Sequence, residues 1–253
     1  MKVAVLVKQT PQLSEVAIVD GKAQWPSHAL IINPLDEYAI EEAIRIKEKT
    51  NGTAIALSYG FASSEAALRD VLALGIDDAY LIENPDYIPL ASQSTAIILA
   101  AGIKKIGDVD LVLTGKQASD DDSALMASAV AALLDWPQIG FVKKFDSLSS
   151  SRIVAHRTTD SGYDVVECSL PAVCSVVKEI NEPRLPSLKG KMKAKKTEIH
   201  KIDISSLGID LSSLIDIKSV NAPKTRPSGE VLQGEVNQVL DSLIAKLKAD
   251  QLI

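Results

Sequence analysis

The chain has 253 residues, of which 46% are hydrophobic and only 4% aromatic, so its core must be aliphatic, as in parallel strands covered by helices. The formal net charge of −6 argues against a dedicated nucleic-acid binder, and two cysteines are too few for a disulfide framework. No apolar run approaches the roughly 20 residues that span a bilayer. We therefore expect a cytoplasmic protein without a membrane span.

The first half of the chain alternates short apolar runs with helical patterns. Strands are predicted over residues 2–7, 53–58, 79–82 and 111–114. Helices are predicted from Asn33-Pro34 onward and over residues 63–74, 92–106 and 123–134. This alternation is typical of an α/β fold with a mostly parallel sheet and helices on both faces. Residues 9–32 lack a helical pattern and are expected to form an excursion or a short hairpin.

Local signals define the first predicted helix. Asn33 is a good N-cap residue, and Pro34 fits the first helical position. Asp36 follows in the first turn, where a carboxylate complements the helix dipole. The apolar positions recur with a helical period, which predicts that Glu41 faces water.

The second half of the chain has a different pattern. Strands are predicted over residues 152–156, 163–169 and 173–178, the first two forming a hairpin around Asp160-Ser161-Gly162. A proline- and lysine-rich segment follows and should leave the body of the protein as an extended arm. An amphipathic helix is predicted over residues 231–248. The resulting division is an α/β domain over 1–180, the arm over 181–201 and a C-terminal extension over 202–253.

The most informative segment for function is the loop over residues 114–123. It lies between the carboxyl end of a predicted buried strand and a helix that Ser123 is expected to cap, which is where open α/β sheets bind ligands. Gly115 permits close backbone approach, and the helix amides favour a phosphate. Three consecutive aspartates, 120–122, fit a phosphate poorly, and the alternative is a solvated acidic loop with a helix cap. Neither a P-loop nor a Rossmann glycine motif is present.

Two further segments follow predicted strands. They are Ser58-Tyr59-Gly60 and Asn33-Pro34-Leu35-Asp36. Because the carboxyl ends of parallel strands meet at one edge of a sheet, all three loops are candidates for a single cleft of nucleotide size.

The arm carries apolar residues on a segment that should be exposed. Leu185, Leu188 and Met192 are interspersed with lysines. A nucleic-acid arm would need aromatic side chains for stacking, which this one lacks, so a docking peptide for a protein partner fits better. The three histidines are scattered, and we find no arrangement of nucleophile and base. The chain is therefore expected to be a carrier without catalytic residues of its own.

At these positions the sequence resembles the β subunit of electron-transfer flavoproteins. The likeness runs from Lys2 to about Asp210 and includes the C-terminal helix in outline. Its most specific stretches are Gly-Lys-Gln-Ala-x-Asp-Asp-Asp at 115–122 and Asn-Glu-Pro-Arg followed by Met-Lys-Ala-Lys-Lys at 181–196.

The resemblance implies a fold like that of the adenine-nucleotide α-hydrolases and an α-subunit partner that carries a redox-active FAD. The β subunit itself would hold AMP, or a second FAD in electron-bifurcating members. The positions that fall on the family's nucleotide-binding segments are Leu6, Asn33, Pro34, Leu35, Asp36, Tyr59, Gly115, Lys116, Gln117, Ala118, Ser119, Asp120, Asp121, Asp122, Ser123, Ala124, Leu125 and Met126.

The resemblance also implies that the arm docks onto acyl-CoA dehydrogenases or related enzymes. The implied docking residues are Arg184, Leu185, Leu188, Lys189, Lys191, Met192 and Lys193, with Leu188 as the apolar anchor. The C-terminal helix would pack on the partner subunit. One departure concerns the nucleotide site: AMP-binding relatives have polar residues and a glycine where this chain has Ala124, Leu125, Met126 and Ala127. Only Ser123 and backbone amides remain there to hold a phosphate.

Several functions fit the residues. The first is an electron carrier that accepts electrons from a dehydrogenase and passes them on, with an electron-bifurcating subunit ranked second. A stand-alone adenine-nucleotide-binding regulatory module also fits the α/β pattern but leaves the apolar-basic arm unexplained. A nucleotide-hydrolysing or adenylating enzyme needs a phosphate-gripping loop near the first strand, and Gln9-Thr10-Pro11-Gln12 offers no glycine-rich version.

Overall fold

The structure is a computed structural model that describes residues 1–84, 91–210, 214–215, 217–223 and 228–253. It consists of two compact units, Met1–Val220 and Asn221–Ile253. The first unit contains the α/β sheet, and the second contains one amphipathic helix.

The strands alternate with helices through the first unit. The strands are β1 (Lys2–Leu6), β2 (Gln9–Pro11), β3 (Ala17–Val19), β4 (Lys22–Gln24), β5 (Leu30–Ile32), β6 (Thr53–Gly60), β7 (Asp78–Glu83), β8 (Leu111–Gly115), β9 (Gln138–Leu148), β10 (Arg152–Thr159), β11 (Gly162–Ser169), β12 (Ala172–Val176) and β13 (Ile199–Asp203). The helices are α1 (Asp36–Thr50), α2 (Glu65–Leu74), α3 (Ser92–Ile106), α4 (Met126–Leu134), α5 (Leu188–Lys196) and, in the second unit, α6 (Val236–Ala249).

Within the described residues, nine strands form the main sheet in the order β11-β10-β9-β12-β8-β1-β6-β7-β13. The strands from β9 to β13 in this order pair in parallel, whereas β10 runs antiparallel to both of its neighbours. The predicted α/β class with a mostly parallel sheet is confirmed. The predicted hairpins are also present, as β10–β11 and as β3–β4 in the excursion after β1.

The central strand β1 shows how the sequence builds the two-sided core. Alternate side chains of a strand point to opposite faces. Val3 and Val5 pack into the core beneath α1 and α2, while Ala4 and Leu6 pack into the core beneath α3 and α4. Every residue of β1 from Val3 to Leu6 is buried, as expected for a parallel sheet covered on both faces.

The start of α1 differs from the prediction. The helix begins at Asp36, and the Asn33 side chain does not cap it. Instead, the backbone oxygen of Asn33 accepts from the amide of Asp36 at 2.9 Å. The prediction that Glu41 faces water is wrong, because Glu41 is 3% exposed and pairs with two arginines. Hydrophobic periodicity does not indicate that Arg184, from a distant segment, covers the Glu41 carboxylate.

The start of α4 also differs from the prediction. The helix begins at Met126 and not at Ser123. Asp122 and Ala124 have positive φ angles of 52° and 51°, and a left-handed backbone at these positions prevents a helix from starting there. Ser123 therefore belongs to the loop.

The segment predicted to be an extended arm is only partly extended. It has no regular structure from 181 to 187, forms α5 from Leu188 to Lys196, and then adds β13 to the edge of the sheet beside β7. Lysine and alanine are good helix formers, and Ser187 caps α5 by accepting from the amide of Gly190 at 3.0 Å. The compact unit that ends at Val220 includes this segment, and its functional division at residues 180 and 201 stays a prediction.

Strand β9 was not predicted, because its lysines and aspartate obscure the alternation of a strand. The C-terminal helix was predicted over 231–248 and is found as α6. Among the helices that the structure describes, none has both the length and the apolar character that crossing a membrane requires.

Candidate functional site

A cavity of about 410 Å³ opens at the carboxyl ends of β1, β6 and β8. This volume lies in the range typical of small-molecule sites. The last residues of these strands and the loops that follow supply Lys8, Tyr59, Gly60, Gly115 and Asp121 to its lining. The predicted convergence of strand ends at one edge of the sheet is therefore present in the structure.

Asp36 joins the ends of two strands at the base of the cavity. Its Oδ2 accepts from the amide of Lys8 at 2.9 Å, and its Oδ1 accepts from the amide of Gly115 at 3.2 Å. Burial raises the pKa of this carboxyl to about 7, although the two amides, a hydrogen bond from the Asn33 side chain and the nearby Lys8 charge oppose the shift. The tight fit requires a glycine, because a Cβ on Gly115 would lie 2.6 Å from both Asp36 Oδ1 and Leu35 O.

Asn33 holds the loop over residues 114–123, which we call the aspartate loop, against the rest of the cavity. Asn33 is 1% exposed, and both the nitrogen and the oxygen of its side-chain amide form hydrogen bonds to this loop. The amide nitrogen Nδ2 donates to Gln117 O at 2.9 Å, and Oδ1 accepts from the amide of Ser119 at 3.1 Å. The same side chain also hydrogen-bonds the Asp36 carboxyl group, so one buried amide links this loop to the base of the cavity.

Two of the three consecutive aspartates, Asp120 and Asp121, line the cavity and interact with other residues of its lining. Asp120 Oδ1 lies 2.7 Å from Lys8 Nζ. Asp121 accepts from the hydroxyl of Ser92 and, at 3.2 Å, from the amide of Ser123. Burial raises the pKa of Asp121, but these hydrogen bonds and the Lys8 charge outweigh it, so the pKa lies below its ordinary value.

Apolar and aromatic side chains also line the cavity. They are Leu6, Pro11, Trp25, Leu30, Phe61, Leu99, Leu125 and Met126. Trp25, Phe61 and Leu125 are each more than a third exposed. A lining that combines apolar surface with hydrogen-bonding groups suits a flat ring that carries a polar substituent.

Most of the residues named from the resemblance line this cavity. They are Leu6, Asn33, Asp36, Tyr59, Gly115, Gln117, Ala118, Asp120, Asp121, Ser123, Ala124, Leu125 and Met126. The remainder do not line it: Pro34, Leu35, Lys116, Ser119 and Asp122. Of these, Ser119 bonds Asn33, Asp122 accepts from the Gln117 side chain, and the Lys116 ammonium lies 5.9 Å from the centre of the Phe141 ring.

The sequence analysis missed several lining residues. Lys8 and Ser92 directly follow or begin predicted elements, so the strand-end rule that selected the other loops would also have found them. Phe61 directly follows Gly60 and would have been found by extending that strand-end segment by one residue. Trp25 carried no such signal, because it lies in an irregular segment whose path only the folded chain reveals.

A second surface is formed by α5. Leu188 and Met192 are 78% and 58% exposed and share one helix face with Lys189, Lys193 and Lys196. Residues four apart lie on the same side of a helix, which explains this pairing of apolar and basic groups.

The opposite face of α5 is fixed to the protein. Ala194 is buried, and Arg69 of α2 donates to the carbonyls of Ala194 and Thr197 at 2.7 Å. A Cβ on Gly190 would lie 2.2 Å from Ala73 O, so the two helices approach closely at this glycine.

The segment before α5 is also anchored. Arg184 Nε donates to Glu41 Oε2 at 2.7 Å, and its Nη1 donates to Glu48 Oε1 at 2.7 Å. Burial works against ionisation of Glu41, but the hydrogen bonds from Arg184 and Arg45 outweigh it and lower its pKa. The docking surface predicted from the sequence thus has one attached face and one exposed face.

Comparison with known proteins shows the family of the chain. A family model described as an electron transfer flavoprotein domain matches residues 27–207. The electron transfer flavoprotein subunit beta of Thermoanaerobacterium thermosaccharolyticum is 33% identical, and the match covers the whole of both chains. This chain belongs to the electron transfer flavoprotein β-subunit family.

Two further relatives match most or all of the chain. The probable electron transfer flavoprotein subunit beta of Saccharomyces cerevisiae is 40% identical over 86% of this chain and 83% of the relative. The caffeyl-CoA reductase-Etf complex subunit CarD of Acetobacterium woodii is 34% identical over the whole of both chains. Membership of the family implies association with a flavin and with an α-subunit partner. Within the described part of the chain, no cluster of acidic, histidine or cysteine residues could hold a metal ion.

Proposed function

We propose that this chain is the small subunit of a heterodimeric electron-transfer flavoprotein. It accepts electrons from a dehydrogenase through an FAD held mainly by the α subunit, and the complex passes them to a downstream acceptor. The flavin supplies the redox chemistry, whereas this chain supplies burial, orientation and docking and needs no catalytic residue of its own.

The observation that carries this proposal is the exposed face of α5. Leu188 and Met192 present apolar surface to solvent within a ring of lysines, on a helix whose other face is fixed. An apolar anchor ringed by positive charge suits a partner with an acidic rim, because the charges steer the encounter and the apolar group gives contact area. A stand-alone nucleotide-binding module would have no use for such a surface.

The cavity at the strand ends is the proposed adenine site. Its apolar side chains suit the ring, and its carboxylates are acceptors for ribose hydroxyls. Two ligands share this chemistry: AMP, and the adenosine end of a second FAD as in an electron-bifurcating subunit. A complex with AMP in this site would contain one flavin, and a complex with FAD in this site would contain two. Counting the flavins per complex therefore distinguishes the two ligands.

The C-terminal helix is the proposed contact with the α subunit. Val236, Leu240 and Leu243 lie on one face of α6, none of whose residues is buried. Such a face requires a partner surface to cover it.

Co-expression with a candidate α subunit tests the heterodimer. We expect a yellow complex of one copy of each chain, and nucleotide extraction followed by chromatography should give one FAD per complex if the β site holds AMP, or two if it holds FAD. A colourless chain that stays monomeric with every candidate α subunit would refute the proposal.

Substitution of Leu188 tests the docking surface. Leu188→Ala should slow reduction of the complex by the dehydrogenase at least tenfold while the FAD content stays unchanged, because the anchor is lost and the flavin site is untouched. The matched control is Leu133→Ala, which removes the same atoms from another partly exposed leucine, on α4. Loss of FAD with normal reduction kinetics in Leu188→Ala would contradict the assigned role.

A further inference from the structure

Local signals alone do not stabilise α5 as a helix. Ser187 caps its start, but α5 has only nine residues, and isolated helices shorter than about 12 residues are marginal in water. Five of its residues are lysines and none is acidic, so lysines one turn apart, such as Lys189 and Lys193, repel each other. Gly190 adds the backbone freedom that makes glycine unfavourable inside a helix. The helical conformation of α5 must therefore come from its contacts with the rest of the protein.

Apolar packing supplies little of this stabilisation. Of the nine residues of α5, all of which the structure describes, only Ala194 is buried. The hydrophobic effect stabilises in proportion to the apolar area removed from water, and an alanine side chain has little such area. Gly190 lets α5 approach α2 closely, but it has no side chain to bury. The contacts that hold α5 in place are therefore mainly polar.

Arg69 of α2 supplies the polar contact at the end of α5. Its Nη1 donates to Ala194 O and to Thr197 O, both at 2.7 Å. Ala194 O belongs to the last turn of the helix, where carbonyls lack partners within the helix and a cation complements the helix dipole. Arg69 Nη2 donates to Glu65 Oε1 at 2.7 Å, so a carboxylate compensates the guanidinium charge beside the lysine-rich helix. One side chain thus holds both the last turn of α5 and the residue that follows it.

The helical conformation decides where the two apolar side chains of the docking face lie. Leu188 and Met192 are four residues apart, which places their Cβ atoms about 6 Å apart on one side of a helix. In an extended chain the same spacing would separate them by about 13 Å. They share their face with Lys189 and Lys193. A compact apolar group among lysines therefore requires that residues 188–196 stay helical.

We infer that Arg69 is a positioning residue for docking, because it holds the last turn of α5 and thereby keeps Leu188 and Met192 together on one face. This inference rests on the docking function proposed for α5 and adds a residue that lies on another helix. If residues 188–196 are helical for only a fraction of the time, the affinity of docking falls in proportion to that fraction. Loss of Arg69 should therefore weaken binding to the dehydrogenase and leave the rate of electron transfer in the docked complex unchanged.

Hydrogen exchange and steady-state kinetics of the purified heterodimer test the inference together. Arg69→Met keeps an unbranched apolar stem and removes every donor. We expect the backbone amides of residues 191–197 to exchange at least tenfold faster than in the native protein, because the helix opens more often. The KM of an acyl-CoA dehydrogenase that reduces the native heterodimer should rise at least fivefold, while kcat stays within twofold and the FAD content is unchanged.

Two further variants sharpen the test. Arg69→Lys keeps a charged donor, so its exchange rates and its KM should lie between those of the native protein and of Arg69→Met, and it replaces Arg69→Met if that variant does not assemble. Glu65→Gln is the matched control, because it changes a partner of the same guanidinium and leaves the two carbonyl acceptors in place. Its exchange rates and KM should stay within twofold of the native values.

Leu188→Ala separates failure of this inference from failure of the docking function. It should raise KM and leave the exchange of α5 unchanged, because it shortens an exposed side chain without touching the contacts of Arg69. Native exchange rates in the Arg69 variants, or faster exchange with a native KM, would overturn the positioning role and leave docking standing if Leu188→Ala still raises KM. A native KM in Leu188→Ala as well would overturn the docking function and the inference together.

Discussion

The cavity and the α5 segment are organised in different ways. The cavity is assembled from loops far apart in the sequence, and the residues that line it, such as Asp36 and Asn33, are also the residues that hold those loops together. The α5 segment, residues 181–196, is contiguous in the sequence. Arg184 and Ala194 attach it to the rest of the protein, whereas Leu188 and Met192 are exposed. Substitutions in the cavity should therefore change binding and stability together, whereas substitutions on the exposed face of α5 should change docking alone.

The largest effect is expected from Gly115→Ala. The added Cβ would lie 2.6 Å from Leu35 O and Asp36 Oδ1, so the ends of β8 and the α1 loop must separate. We expect the free energy of unfolding to fall by about 3 kcal/mol, measured by urea denaturation. The control is Gly140→Ala, where the nearest atom to the new Cβ, Ser175 Oγ, is 3.8 Å away and the loss should stay below about 1 kcal/mol. Equal losses in the two variants would show that the strand ends are not closely joined.

Arg184→Ala should have the next largest effect. It leaves the buried carboxylate of Glu41 with Arg45 as its remaining ion-pair partner. Removing one partner of a buried ion pair leaves a poorly compensated charge, and because Arg45 remains we expect a loss of about 2 kcal/mol in chemical denaturation. Glu48→Gln weakens the exposed half of the same network and should cost less than about 1 kcal/mol. If Arg184→Ala costs no more than Glu48→Gln, the segment is not anchored by this ion pair.

The two regions should respond to pH with opposite sign. The folded-state pKa of Asp36 is raised to about 7 from 3.8, so the folded protein retains a proton that the unfolded chain releases between these values. Stability from this group therefore falls as pH rises through that window, by up to about 1 kcal/mol per pH unit. Unfolding curves from pH 4 to 7 should show a steeper decline in the native protein than in Asp36→Asn.

Glu41 provides the contrasting case for that measurement. Its pKa is lowered in the folded state, so its contribution to stability is present above the ordinary glutamate pKa and is lost as pH falls below it. Relative to Glu41→Gln, the native protein should thus lose stability on acidification. If the stability of the native protein and of both variants changes with pH in the same way, the two regions do not differ in their response to pH.

The smallest effect on stability is expected from Lys189→Gln. Lys189 lies on the exposed face of α5, so the free energy of unfolding should change by less than about 0.5 kcal/mol. The rate of reduction by the dehydrogenase should fall and should depend less steeply on ionic strength, because salt screens exposed charges. A rate equal to that of the native protein at low salt would show that this lysine does not steer docking.

The sequence by itself determined the α/β class, the position of most elements and the three loops that meet at the cavity. These follow from local information: hydrophobic periodicity assigns the strands and helices, and the parallel connection rule places their carboxyl ends together. The apolar and basic composition of residues 181–196 likewise predicts a docking surface, which stays a proposal.

Only the tertiary structure decided the rest. Glu41 is buried because Arg184, far away in the sequence, covers it, and residues 188–196 form a helix that packs on α2, followed by a strand on the sheet edge. Asn33 bonds the aspartate loop and does not cap α1. In each case the outcome depends on a contact between segments distant in the chain, and such a contact leaves no local signal in the sequence.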